Sequence, residues 1–336
     1  MKAAIKDRYG TPDVVHLEDI ERPTPGDGEI LVRVKAASVN RADLDGIEPR
    51  PAFVRLIIGL RAPRIRSVGI DVAGIVEVVG SGVTRFKPGD AVFADLFGQR
   101  DGSFAEYAAA PEKEFERMPA DMTFEEAATL PHSAILALQG LRLRRGRTIK
   151  PGDKVLIVGA SGNVGPFAVQ IAKSMGAEVT GVARGEKLDF VRSLGADHVI
   201  DYQSTDYTTT GERYDWIVDT DSHQSILKVR RALAPGGVYV TLGGTTWPIL
   251  GALILGPLLS LVGGKYSGLL LWWKPFHPPD VDRLKALYTA GAYTPRIDRT
   301  FTLDQVVDAL HWVDDGRARG KVVITVDEAG PVRPPA

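Results

Sequence analysis

The chain has no cysteine among its 336 residues. That excludes disulfides, thiolate zinc sites, iron–sulfur clusters and cysteine nucleophiles together. Histidine is scarce, at 6, so a metal site would have to rest on histidines and carboxylates alone. Neither sign of charge dominates: 41 Lys+Arg stand against 42 Asp+Glu, a formal net charge of -1. A balanced chain has no bulk attraction to nucleic acid, and no nucleic-acid partner is expected, although a local basic patch stays open. Long apolar runs are missing too. The most apolar stretch, Trp247–Trp273, is broken by Pro257 and by Gly263-Gly264-Lys265, and each piece is shorter than the roughly 20 residues a membrane-spanning helix needs. No leader is expected, because Met1–Lys6 reads as a short strand with no apolar core and cleavage site after it. The expected location is cytoplasmic.

What is present is ordinary for a soluble globular protein: 44% hydrophobic and 25% charged residues. The length favours about two domains. Short apolar or alternating runs, Ile30–Val34, Gly74–Val79 and Ala91–Ala94, are separated by Gly/Pro/Asp turns. They predict a compact antiparallel barrel or sandwich. Near residue 122 the pattern changes. Thr123 and Glu126 fit a capping box, a helical region with a break at Pro131 runs to about Leu143, and apolar strands then alternate with amphipathic helices from Lys154 to Leu242. This is an α/β pattern, which implies a parallel sheet covered on both faces. The stretch Trp247–Trp273 has two readings. One is a core helix, a hairpin and an interface strand; the other is an apolar lip that admits a lipophilic substrate or touches a membrane surface.

The strongest local signal is a glycine turn. Val155–Val158 runs into Gly159-Ala160-Ser161-Gly162-Asn163-Val164-Gly165, a helix opens at Pro166, and a second strand follows at Glu178–Ala183. Strand, glycine turn, helix and strand within about 30 residues is the setting of a dinucleotide fingerprint. Backbone N–H groups at the helix start would bind pyrophosphate. The candidate cofactor residues there are Ala160, Ser161, Gly162, Asn163, Val164 and Gly165. After the second strand come Arg184 and Lys187, which suit a 2′-phosphate and so favour NADPH over NADH. Glu186 keeps NADH open. Leu242-Gly243-Gly244 ends a strand of the same sheet, where an open α/β fold binds its ligand.

The chain resembles the medium-chain dehydrogenase/reductase superfamily, in its zinc-free quinone oxidoreductase and enone reductase branch. The resemblance rests on Ala37–Asp43, Gly69–Gly74, Val79–Val83, Phe86–Val92, Gly102–Tyr107, the glycine turn, Leu194–Asp197 and Ala318–Val323. It implies a GroES-like β-barrel catalytic domain, 1–122 with 280–330, and an inserted Rossmann doubly wound parallel sheet, 123–279, with 331–336 a disordered tail. It implies Tyr202 near the adenosine phosphate and a homodimer formed through the strand near Leu269–Trp273. Zinc-dependent relatives carry a Cys at the place of Asn40 and a His-Glu pair at Ile70-Asp71, and a relaying Thr or Ser at Ala42, which leaves His132 as one ligand of three. No zinc and no other metal is therefore expected. The function implied is hydride transfer from NADPH to a quinone or an α,β-unsaturated carbonyl. The alternatives are an NAD(P)-dependent alcohol dehydrogenase and a non-catalytic NADPH-binding sensor or scaffold. Asn40 is the first candidate catalytic residue, as a neutral donor to the enolate oxygen. His132 is the second, as general acid or as a buried helix histidine. Asp43 and Asp71 are read as braces of the barrel or as proton donors. No Tyr follows the Asn40 motif, and Leu136 stands where the family has a Thr.

Overall fold

The computed structural model describes residues 1–49, 55–98, 102–143, 146–270 and 274–326. The chain divides into two units. The first comprises residues 1–135, 275–285 and 297–336; the second comprises 136–274 and 286–296.

The first unit is built on a seven-stranded sheet whose longest member is Glu29–Val39. Its Ile, Leu, Val and Ala side chains are buried along almost the whole strand. Strands buried on both faces read as continuous apolar runs rather than as alternation, and Ile30, Val32, Val34, Ala36, Ala37 and Val39 are all fully enclosed. Glu29–Val39 pairs antiparallel with Asp71–Val79, which pairs with Ala91–Asp95. On its other side it pairs antiparallel with Lys321–Thr325, and at its start with Tyr107–Pro111. Ile297–Thr302 lies parallel to Lys321–Thr325 at the edge. A separate antiparallel pair, Lys2–Lys6 with Val15–Asp19, packs on this unit.

The second unit is a six-stranded, wholly parallel sheet. Its order is His198–Asp201, Glu178–Ala183, Lys154–Val158, Tyr214–Asp219, Leu233–Thr241, Tyr266–Leu269. Lys154–Val158 is first in sequence among these strands yet central in the sheet, so the winding reverses direction beside it. That is the position where an open α/β sheet leaves a crevice at its strand ends.

Two expectations change here. The first boundary expected at 122 falls at 135, because the helix Phe124–Ala128 is committed to the first unit. Phe124, Ala127 and Ala128 are buried, and the Ala128 carbonyl accepts from Ser38 Oγ at 2.8 Å. At the other end, residues 286–296 belong with the second unit. Tyr293 packs edge-on against Phe167, 5.7 Å between centroids, and Thr294 exchanges two hydrogen bonds with Gln170 (3.0 and 3.1 Å). The apolar stretch also differs from a core helix. It forms Thr246–Ser260 and then the strand Tyr266–Leu269, and only Ala252 and Gly256 of the helix are buried. The expected interface strand beyond Leu270 and the expected tail lie outside the described residues.

Candidate active site

In the first unit, antiparallel pairing gathers four strand ends at one edge of the sheet. Val322 sits opposite Val39, Ser38 opposite Asp71, and Asp71 opposite Asp95. The residues that terminate these strands, Lys321, Ser38, Asn40, Asp71 and Asp95, therefore meet although they are scattered through the chain. The turn at Pro131 and the helix Ser133–Gly140 add His132 and Ser133.

The result is a buried polar network. Lys321 Nζ donates to Asn40 Oδ1 at 2.6 Å, Ser133 Oγ at 3.1 Å and Asp71 Oδ2 at 3.4 Å. Its three hydrogens are thus all used. Asn40 Nδ2 donates to Asp71 Oδ2 (2.9 Å) and to the Ser38 carbonyl (3.2 Å), and Asn40 Oδ1 also accepts from Ser133 Oγ (3.0 Å). Ser38 Oγ lies 3.0 Å from Asp71 Oδ2. Asp71 Oδ1 accepts the backbone N–H of His132 at 2.9 Å. His132 Nδ1 faces Asp95 Oδ2 at 2.9 Å, and Asp95 Oδ1 accepts the Phe97 N–H at 2.9 Å.

Burial sets the electrostatics. It pushes the Asp71 carboxyl up and the Lys321 ammonium down, and the attraction between the two opposes both shifts. Burial alone would lower His132. The facing Asp95 carboxylate outweighs it and, with Asp71 adding, raises the imidazole above its ordinary value. The side chains of Asp71 and Asp95 are fully enclosed and that of Lys321 is 1% exposed, whereas that of His132 keeps 9%. His132 is thus the least enclosed member of this buried network, and it lies beside the half-exposed ring of Phe97, 5.7 Å between centroids.

The candidates from the sequence separate on this geometry. Asn40 is 1% exposed, and both its amide hydrogens and both its acceptor positions already have partners. It lies inside the network and has no donor left over for an enolate oxygen. The carboxylate of Asp43 accepts the backbone N–H of Asn40 at 2.7 Å and so holds the entry of the helix Arg41–Ile47. Asp71 ties Ser38, Asn40, Lys321 and His132 together. His132 faces Asp95, whose carboxylate raises its imidazole. Lys321, Ser133 and Asp95 were missed. Lys321 opens an apolar strand, and a charged residue opening such a run was the available signal; which side chains it meets is fixed only by strand register.

In the second unit the glycine turn follows Lys154–Val158 at the reversal of winding. Gly159 has φ 75°, and a Cβ there would meet Thr220 Oγ1 at 2.3 Å. Ala160 is enclosed and Ser161 is 7% exposed. Gly162, Asn163 and Val164 form the half-buried tip. Gly165 opens the helix Gly165–Ser174, which has no side-chain cap. A Cβ at Gly165 would lie 2.3 Å from the Gly159 carbonyl oxygen, so a side chain cannot fit between helix and strand. The uncapped helix start is the kind of place where backbone N–H groups meet an anion, while those of Gly159, Ala160 and Gly162 already donate to carbonyls. At the end of Glu178–Ala183, Arg184 Nε lies 3.5 Å from the Tyr202 hydroxyl and its Nη1 3.5 Å from Glu186. Arg184 and Tyr202 are therefore brought together, with Tyr202 half exposed. Lys187 is 6% exposed, which leaves Arg184 as the accessible cation of the two. Leu242, Gly243 and Gly244 are half-buried after Leu233–Thr241. Gly244, at φ 137°, has Ser222 N within 2.3 Å of where a Cβ would stand. Neighbouring Asp219, enclosed and accepting from the Tyr239 hydroxyl (3.2 Å), is pushed up to about 6 by burial.

Comparison with known proteins agrees with both units. The sequence profile described as alcohol dehydrogenase GroES-like domain matches residues 26–120, and the one described as zinc-binding dehydrogenase matches 194–324. The chain is 32% identical to the mitochondrial NAD(P)H oxidoreductase of Bos taurus, over 97% of this chain and 89% of that one. It is 31% identical to the 2-methylene-furan-3-one reductase of Solanum lycopersicum, over 96% and 79%. Among solved structures, the quinone oxidoreductase from Coxiella burnetii superposes with a TM-score of 0.84 at 28% identity, covering 97% of this chain and 99% of the other. With the GroES-like and Rossmann-type architectures both present, the chain belongs to the quinone oxidoreductase branch of the medium-chain dehydrogenase/reductase superfamily and is an oxidoreductase that uses a nicotinamide cofactor.

Proposed function

We propose that this protein is a zinc-independent, NADPH-dependent reductase that transfers hydride to a quinone or to the β-carbon of an α,β-unsaturated carbonyl. The observation that supports this reading is the His132–Asp95 pair: a histidine lifted by a buried carboxylate and, at 9% side-chain exposure, the least enclosed member of a buried network. The relatives named for NAD(P)H oxidation, enone reduction and quinone reduction support the same class.

When bound, the reduced nicotinamide supplies the hydride. The chain's own residues then handle the negative charge left on the acceptor oxygen. Asp95 holds His132 through Nδ1, which makes Nε2 the position from which the imidazolium gives up its proton. The anions Asp95 and Asp71 favour the protonated ring before the reaction. Lys321 offsets part of their charge and, through Asn40 and Ser133, fixes the position of Asp71. Asp71 in turn fixes the His132 backbone.

The zinc-independent part rests on the donor set. The places of the zinc ligands hold Asn40 and Ile70-Asp71, and Asp71 already accepts from Asn40 and the Lys321 ammonium. A dication next to that ammonium would be repelled, and Asn40 has no acceptor position to spare, so these residues do not fit zinc. Among the described residues no group of three His, Cys, Asp or Glu side chains is placed to hold a metal. The NADPH part rests on Arg184, whose planar guanidinium suits a 2′-phosphate.

The test is NADPH oxidation by chelator-treated protein against a panel of quinones and enones, with NADH alongside. Turnover without metal and with NADPH preferred is the expected result. Activity that needs added zinc would revive the alcohol dehydrogenase reading, and tight NADPH binding with no turnover would replace the proposal with the sensor reading.

A further inference from the structure

Between Asp221 and Asp280 the sequence contains no acidic residue, yet it holds Lys228, Arg230, Arg231, Lys265 and Lys274. In a chain that otherwise balances its charges, this is a strong local excess. The same stretch contains the helix Thr246–Ser260, which carries no charged side chain at all.

This helix seats on the edge strand Tyr266–Leu269 by its small residues. Ala252 is enclosed, and a Cβ at Gly256 would meet the Ser267 carbonyl oxygen at 2.6 Å. Several of its large residues, and two in the turn after it, stand exposed. Trp247 is 79% exposed, Ile254 61%, Leu258 61%, Leu261 84% and Val262 66%. The neighbouring helix Ile226–Arg231 extends the patch with exposed Leu227 and frames it with exposed Lys228 and Arg231. Arg230 holds the end of the patch, donating to the carbonyls of Val262 and of Lys265 (3.1 Å). Among the described residues none of Lys228, Arg230, Arg231 and Lys265 forms a carboxylate ion pair. Large apolar side chains in water over a contiguous face mark an interaction surface.

We propose that the face formed by Trp247, Ile254, Leu258, Leu261 and Val262 docks on the surface of a lipid bilayer that carries anionic headgroups. The helix would lie in the plane of the interface, because no helix among the described residues is long and apolar enough to cross a membrane. An apolar face with an aromatic residue at one end and cations at its margin matches the layering of that surface: acyl chains inside, anionic headgroups outside. A second copy of this chain fits less well. A two-fold interface sets identical patches together, which would add the cations of both copies to one interface, in a stretch with no acid to pair them. The inference does not depend on the reductase reading, since its readout is binding.

The test is flotation of the full chain with vesicles of phosphatidylcholine alone and of phosphatidylcholine with phosphatidylglycerol. The expected result is binding to the anionic vesicles, weakened about tenfold by Ile254→Glu with Leu258→Glu, and loss of the preference for anionic lipid in Lys228→Glu with Arg231→Glu. The four substituted side chains are exposed, so the melting temperature serves as the control and stays unchanged. No vesicle binding by the unaltered chain, or equal binding by the Ile254/Leu258 variant, would overturn the proposal. So would sedimentation equilibrium showing that this variant turns a vesicle-indifferent dimer into a monomer, which would assign the face to a second copy.

Discussion

Lys321 and His132 divide the work of one network between stability and chemistry. Lys321 is a buried cation whose three donors are all engaged. Lys321→Met should therefore destabilise the fold by about 3 kcal/mol in urea denaturation, because it strands the Asp71 carboxyl without its counter-ion. Adding Asp71→Asn should recover part of the loss, since the two changes act on one pair. For His132 the expected readout is catalytic. His132→Ala should lower kcat by about 100-fold. In the unaltered enzyme, kcat/KM should fall on the alkaline side as the ring loses its proton, above the ordinary histidine value because Asp95 raises it. Asp95→Asn removes that anion and should move this limb to lower pH. An alkaline limb unmoved by Asp95→Asn would remove His132 from the proton step. The linkage to stability has the same sign: a group raised in the fold contributes fully at pH below its unfolded value, and the contribution is lost as pH rises through the folded value. At this scale the sequence shows that Asn40, Asp43, Asp71 and His132 are unusual residues for their surroundings. It does not show that Asn40 spends every hydrogen bond inside the network, or that Asp95 and Lys321 are its neighbours.

The glycine turn shows what one element can specify locally. Its strand, turn and helix are contiguous, so spacing alone marks the element, and the helix runs from Gly165 to Ser174. The three glycines nevertheless have different reasons to be glycine. A Cβ at Gly165 would sit 2.3 Å from the Gly159 carbonyl oxygen, whereas at Gly162 the nearest atom is 3.5 Å away. Gly165→Ala should therefore lower stability by about 1–3 kcal/mol, as expected for forced overpacking. Gly162→Ala should melt like the parent and still bind NADPH more weakly, because its added methyl has room in the fold but would crowd a pyrophosphate held at the helix start. Thermal melting and fluorescence titration with NADPH separate the two. The apolar helix Thr246–Ser260 is the opposite case. Its composition suggested a core helix as readily as a surface one, because a segment apolar on every side carries no sign of which face is covered. The edge position of Tyr266–Leu269 in the sheet leaves the outer face of that helix bare.

For the whole molecule, the distinguishing measurement is cofactor choice. Arg184→Glu should raise the KM for NADPH by at least about tenfold while leaving that for NADH within a few-fold, since it replaces the donor fork that suits the 2′-phosphate with a repelling carboxylate. If the two cofactors suffer equally, Arg184 is not the discriminating residue. By itself the sequence determined the α/β class, the β-rich first part and the alternating second part. It also determined the place of the glycine turn and the absence of any thiolate chemistry, because composition, periodicity and contiguous spacing are local properties. Only the tertiary structure decided that the helix Phe124–Ala128 belongs to the first unit, that Lys321, Asp95 and Ser133 join Asn40 and Asp71, and that His132 is the least enclosed member of their network. Those contacts join residues up to 281 positions apart. They depend on strand register, in which a slip of one residue would turn Lys321, Asp71 or Asp95 to the opposite face of its sheet.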